Sequence, residues 1–221
     1  LHVRSRRQRQ MCIRDRSEAV RLYSDKGDSV ILNMPTYNAF LKVLKGNDRK
    51  VVPCSLIEED NEYSFDFDHF EKLCQAPENK VFVHCNPHNP TGTVWTREEL
   101  QKMKDICLQN DVFFISDEIH MDFVRPKEEF VSMAELMDDG DPIIVTTGLG
   151  KTFNLASIPH SYFITKNKEL KNKIIYEYDH RYNVGTANSL VLSAIEAAYT
   201  DCGEWVDELN NHLEGNFDYI E

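Results

Sequence analysis

Three short stretches of this 221-residue chain hold residue types that do chemistry. Asn86-Pro87-His88-Asn89-Pro90-Thr91-Gly92 offers amides and an imidazole in a turn-forming context. Asp117-Glu118-Ile119-His120 puts two carboxyls and an imidazole within four residues. Gly148-Leu149-Gly150-Lys151-Thr152 presents a single amine flanked by glycine. An unprotonated lysine amine attacks carbonyl carbon or moves a proton, and a buried carboxylate pairs with a cation. Taken singly, each stretch has an ordinary explanation. Asn, Pro and Gly make turns, Asp caps helices, and a lone lysine is usually solvated.

What unites the three is the sequence just ahead of each. Val81-Phe82-Val83, Val112-Phe113-Phe114-Ile115 and Ile143-Ile144-Val145 are continuous apolar runs, the pattern of strands covered on both faces. Val30-Ile31-Leu32, Val51-Val52 and Tyr162-Phe163-Ile164 read the same way. Helical stretches lie between them. Phe67 to Cys74 is one, and Leu100 to Leu108 is another, opened by Thr96 and Glu99 at the spacing of a capping box. Strand–helix alternation predicts an α/β fold built on a doubly wound, mostly parallel sheet. In such sheets ligands bind beyond the carboxyl ends of the strands, which is where all three stretches fall. After residue 164 the pattern turns helical, over Lys168–Tyr178, Ala187–Tyr199 and Glu204–Ile220. In the last of these, Trp205, Leu209, Leu213 and Phe217 form a packing face.

Two rival chemistries are tested by spacing. Gly150-Lys151-Thr152 resembles the end of a phosphate-binding P-loop, but the glycine needed five residues before Gly150 is Val145, and the acidic strand comes first instead of second. His84, Cys85, His88 and His120 lack the tight paired spacing of a zinc site, so no metal is expected.

Composition narrows the classes further. Hydrophobic residues are 41% and charged residues 28%, ordinary for a soluble domain. No apolar run approaches the ~20 residues that cross a bilayer, and the first residues lack the apolar core of a secretory signal. A cytoplasmic protein with no membrane partner is expected. The six cysteines are scattered, as buried reduced thiols would be. Net charge is −12, unevenly placed. Residues 1–16 carry six arginines against Asp15, and the rest is strongly acidic, which disfavours nucleic acid as a partner. The string Met11-Cys12-Ile13-Arg14-Asp15-Arg16 resembles translated adapter sequence, so residues 1–16 are expected not to belong to the natural protein.

Residues 18–221 resemble the aspartate-aminotransferase superfamily, the fold type I pyridoxal-phosphate enzymes. Asn89-Pro90-Thr91-Gly92 is similar to the loop whose Asn hydrogen-bonds the cofactor's 3′-oxygen. Asp117 matches the Asp that pairs with the pyridine nitrogen. Lys151 matches the lysine that holds the cofactor in a Schiff base, at the family's spacing of about thirty residues after that Asp. Tyr37, in Pro35-Thr36-Tyr37, matches the aromatic residue that stacks on the ring. His120 stands where many relatives carry a Tyr near the 3′-oxygen. Two family serines, one and three residues before the lysine, are Gly150 and Gly148 here, which leaves Thr147 and Thr146 as hydroxyls for the phosphate. Val94-Trp95-Thr96, Asp117-Glu118-Ile119-His120-Met121-Asp122 and Lys151-Thr152-Phe153-Asn154 resemble, more narrowly, the MalY/PatB-type cystathionine β-lyases.

The resemblance implies a carbon–sulfur lyase of small amino-acid substrates. It would cleave cystathionine or related cysteine S-conjugates to a thiol, pyruvate and ammonia, and would work as a homodimer. An aminotransferase of the same fold is the second reading and an inactive fragment the third. The chain ends within a helix with no breaker, and the family's phosphate loop and carboxylate-binding arginine are not found. Residues 17–221 are therefore expected to be an incomplete cofactor-binding large domain.

Overall fold

The computed structural model describes residues 17–155, 160–182 and 189–220. The arginine-rich segment 1–16 lies outside the described residues.

Six strands form the main sheet: β1 (Ser29–Met34), β2 (Lys50–Ser55), β5 (Asn79–Cys85), β6 (Phe113–Asp117), β7 (Ile143–Thr147) and β8 (Tyr162–Ile164), in spatial order β2-β1-β5-β6-β7-β8. β3 (Ile57–Glu59) and β4 (Glu62–Ser64) make a separate antiparallel pair. The first five strands of the main sheet run parallel, and β8 joins β7 antiparallel. The doubly wound, mostly parallel sheet expected from the strand–helix alternation is therefore present. The winding order, not the strand direction, reverses between β1 and β5: β2 lies on one side of β1, and every later strand of this sheet lies on the other. Such a reversal opens a crevice at the carboxyl edge.

Alternation along each strand sorts its side chains between two cores. Ile31, Phe82, Phe114 and Val145 face one layer, where they meet Phe70 of α2 (Phe67–Cys74), Leu100 and Met103 of α3 (Arg97–Gln109), and Trp95. Val30, Leu32, Val83, Ile115 and Ile144 face the other. There they meet a helical segment over residues 17–23, Phe40 and Leu44 of α1 (Asn38–Gly46), and Leu170 and Ile174 of α6 (Lys168–Tyr182). Each large apolar side chain buried this way stabilises the fold by about 1.5–3 kcal/mol relative to exposure. The capping box opens α3 as the sequence predicts: Thr96 Oγ1 accepts from the Glu99 N–H, and Glu99 accepts from the Thr96 N–H at 2.9 Å. Two short helices, α4 (Met133–Leu136) and α5 (Leu149–Thr152), are too brief to leave a periodic signature.

Beyond β8 the helices are less covered. α7 (Ser189–Asp201) buries only Ala198, and α8 (Gly203–Ile220) buries no residue, with Trp205 and Phe217 both exposed. The packing face predicted for α8 is thus only partly used. The predicted start of α7, at residues 187–188, lies outside the described residues. Among the described residues no helix is long and apolar enough to cross a membrane.

Candidate active site

β1, β5, β6 and β7 are consecutive neighbours about 5 Å apart, so the segments that leave their carboxyl ends emerge side by side. Each brings one of the residues singled out above.

Tyr37 follows β1 and caps the start of α1, its ring edge-on to Phe40 at 5.9 Å and partly exposed. The loop after β5 is held by Asn86, whose side chain is fully buried. Its carbonyl oxygen accepts from the Trp95 N–H (3.3 Å), its amide donates to the Val131 carbonyl (3.0 Å), and its backbone N–H donates to the Asp117 carbonyl (3.0 Å). The indole N–H of Trp95 donates to the Cys85 carbonyl at 3.2 Å. At the tip, Gly92 N–H donates to the His88 carbonyl (2.7 Å) with φ +79°, a conformation that favours glycine. The His88 imidazole lies 2.9 Å from the Thr91 hydroxyl, and burial pushes its pKa down to about 4, so it is a neutral hydrogen-bonding group near pH 7. Asn89 is half-buried within this closed loop.

Asp117 ends β6, is 1% exposed, and accepts from the Ile119 N–H at 3.3 Å. His120 stands half-buried in the turn that follows, next to Phe123. Lys151 sits in α5 directly after β7, exposed, and faces a cleft of about 450 Å3 walled by Phe123, Trp205, Leu209 and Leu213. Thr147 is the last residue of β7, just ahead of this turn. It is 3% exposed, and its hydroxyl donates to the Glu118 carbonyl at 3.2 Å. A contact from that hydroxyl to a ligand would come at the expense of this bond.

For two of the residues named from the sequence, the partners were not legible there. Glu118 is buried, accepting from the Ser116 hydroxyl (3.0 Å), the Met133 N–H (2.8 Å) and the Ser132 hydroxyl (2.5 Å). Burial pushes its pKa up to about 7, against the pull of these donors. Side chains alternate along β6, so the Ser116–Glu118 network leaves Asp117 on the opposite face. Gly148 is the second case. A Cβ added there would stand 3.0 Å from the His160 carbonyl oxygen and 3.2 Å from Ser161 Cα. The only local hint was serine ahead of a short helix in the first case and a glycine-rich turn in the second.

As a set, these groups suit a flat aromatic aldehyde carrying a ring nitrogen. A buried carboxylate matches a protonated ring nitrogen, an amide matches a ring oxygen, an aromatic side chain matches the ring face, and an amine matches the aldehyde. Thr146 supports that fit. Its hydroxyl is buried with no hydrogen-bond partner among the described residues, and it is in register with Asp117 on the neighbouring strand. An unsatisfied buried hydroxyl costs about 1–3 kcal/mol, and at a strand end it marks a place where a ligand completes the bonding.

The chain is 36% identical over 206 residues to cystathionine β-lyase PatB of Bacillus subtilis, covering 93% of this chain and 53% of that protein. It is 34% identical over 204 residues to protein MalY of Escherichia coli, covering 92% of this chain and 52% of that protein. The chain therefore spans about half the length of the curated relatives it matches. Among solved structures, cystalysin from Treponema denticola, which contains a pyridoxal 5′-phosphate cofactor, superposes with a TM-score of 0.89 at 34% identity, over 94% of this chain and 53% of that one. The family model for aminotransferase class I and II matches residues 16–220, and the chain belongs to that family.

Proposed function

We propose that the protein is a pyridoxal-phosphate-dependent carbon–sulfur β-lyase, cleaving cystathionine or related cysteine S-conjugates to a thiol, pyruvate and ammonia. One observation carries the reading: Tyr37, Asn89, Asp117 and Lys151 leave four adjacent strands at one edge of the sheet, in that spatial order. The similarity to PatB, a cystathionine β-lyase by name, supports the lyase over a transaminase.

Bound pyridoxal phosphate supplies an electron sink for the pair left when an attached amino acid loses its Cα proton. This chain's residues do the rest. Lys151 is the covalent anchor and the group that takes the Cα proton. Asp117, buried at the end of β6, would pair with the ring nitrogen, where burial makes a charge-assisted bond strong. Asn89 and His120 address the 3′-oxygen, and Tyr37 covers a ring face. Thr147 and Thr146 are the hydroxyls at this edge for the phosphate, and that of Thr146 has no partner among the described residues. We further propose a homodimer acting in the cytoplasm. The exposed apolar side chains of α7 and α8 support the dimer, and the free thiols of Cys54, Cys74, Cys85, Cys107 and Cys202 among the described residues support a reducing compartment.

The test is pyruvate release from cystathionine by the full-length protein with added pyridoxal phosphate and no keto acid. Turnover without an acceptor supports the lyase; turnover only when a keto acid is added moves the protein to the aminotransferases.

A further inference from the structure

Two threonines bracket the turn that carries Lys151, and both give their hydroxyl protons to the chain that follows Asp117. Ahead of the turn, Thr147 donates to the Glu118 carbonyl. Behind it, Thr152 is 3% exposed and donates to the Asp122 carboxylate. Asp122 is itself fixed from α8, where the Asn210 amide donates to its backbone carbonyl at 2.9 Å.

This matters because α5 has little of its own to hold it. It is four residues long, and Gly148 at its N-cap makes no side-chain cap bond. A single helical turn is unstable in isolation. The direction in which residue 151 leaves the backbone is therefore set from outside. At one end Gly148 packs against the backbone of His160 and Ser161. At the other, the Thr152–Asp122 bond ties the residue next to Lys151 to the turn that also carries His120. A lysine side chain is long and flexible, so its amine samples many positions unless the Cα from which it springs is oriented.

We propose that Asp122, acting through the Thr152 hydroxyl, is a positioning residue that aims the Lys151 amine at the cofactor site. The inference rests on the reading of Lys151 as the cofactor lysine. A hydroxyl-to-carboxylate bond is charge-assisted, and losing it slows a step that depends on the aim of the amine by roughly tenfold or more.

The experiment uses the full-length protein mixed with pyridoxal phosphate. Aliquots are quenched with borohydride over time and the pyridoxyl group is located by peptide mapping. The cofactor's dissociation constant is measured separately by fluorescence. Thr152→Val and Asp122→Asn should each slow labelling of Lys151 roughly tenfold, with the dissociation constant changed by less than about threefold, and Thr152→Ser should restore the rate. A merely structural role would lower the melting temperature and affinity together and would not be rescued selectively. If Thr152→Val does not fold, Asp122→Asn, which keeps the shape of the side chain, decides by the same criterion. Labelling of Lys151 at the wild-type rate in the folded variants overturns the proposal and leaves Lys151 as the cofactor lysine. Wild-type protein labelled on a different lysine overturns both readings.

Discussion

Gly148 packs against His160 so closely that an added Cβ would lie 3.0 Å from the His160 carbonyl oxygen. Its φ of 169° is extended backbone open to any residue, so space and not conformation demands glycine here. Gly148→Ser should therefore cost stability, about 1–3 kcal/mol by overpacking. That corresponds to a fall of roughly 2–12 °C in melting temperature for a protein of this size. A thermal melt checks it, and an unchanged midpoint would show that the 160–161 segment gives way freely.

Asp117 is the buried end of β6 and the proposed partner of the ring nitrogen. Asp117→Asn keeps the shape and removes the charge. The fold should persist, while turnover drops at least about tenfold, since a charge-assisted partner contributes about 1.5–3 kcal/mol. Steady-state pyruvate release alongside a denaturation curve separates the two effects. Unchanged turnover would reduce Asp117 to the cap of the Ile119 N–H.

Glu118 makes stability depend on pH. Burial raises its folded pKa from 4.5 to about 7, so the folded state holds the proton more tightly than the unfolded chain. The associated stabilisation is fully present below pH 4.5 and is lost as pH rises through about 7, to a limit of about 3 kcal/mol. Glu118→Gln removes this titration while keeping an acceptor for the Met133 N–H. Relative to wild type, the variant should be more stable at pH 8 than at pH 5. Urea midpoints at both values test it; parallel pH profiles for the two proteins would contradict the assignment.

Lys104 joins α3 to the chain that enters β7. Its ammonium, 4% exposed, donates to the Leu136 carbonyl and to Asp138, both at 2.6 Å, and pairs with Asp141 at 3.0 Å. Burial opposes its charge, but the hydrogen bonds to Asp138 and Asp141 prevail and raise its pKa. Lys104→Met leaves Asp141, largely buried, without its cation. The expected loss is about 3 kcal/mol, read from chemical denaturation. A loss below about 1 kcal/mol would place the cluster with ordinary surface pairs.

Much of this protein was legible in sequence because burial on two faces leaves a direct record. Val81–Val83, Val112–Ile115 and Ile143–Val145 are apolar without interruption because helices cover both sides of β5, β6 and β7. Thr96 and Glu99 announced α3 because a capping box is satisfied within four residues. The chemistry-bearing segments stood out because each follows such a strand. What periodicity records is which face is covered, not by what. It contains nothing about strand order, so that β1 lies beside β5, placing Tyr37 next to the Asn89 loop, was decided by tertiary packing. The polar pair β3 and β4 and the four-residue helices α4 and α5 fall below the length at which a period can be seen. Glu118 meets Ser132 and Met133 fourteen and fifteen residues away, and Asp122 meets Thr152 thirty residues away. Which donor a carboxylate finds across such a gap depends on how the intervening strand and helix pack, and only the folded chain fixes that.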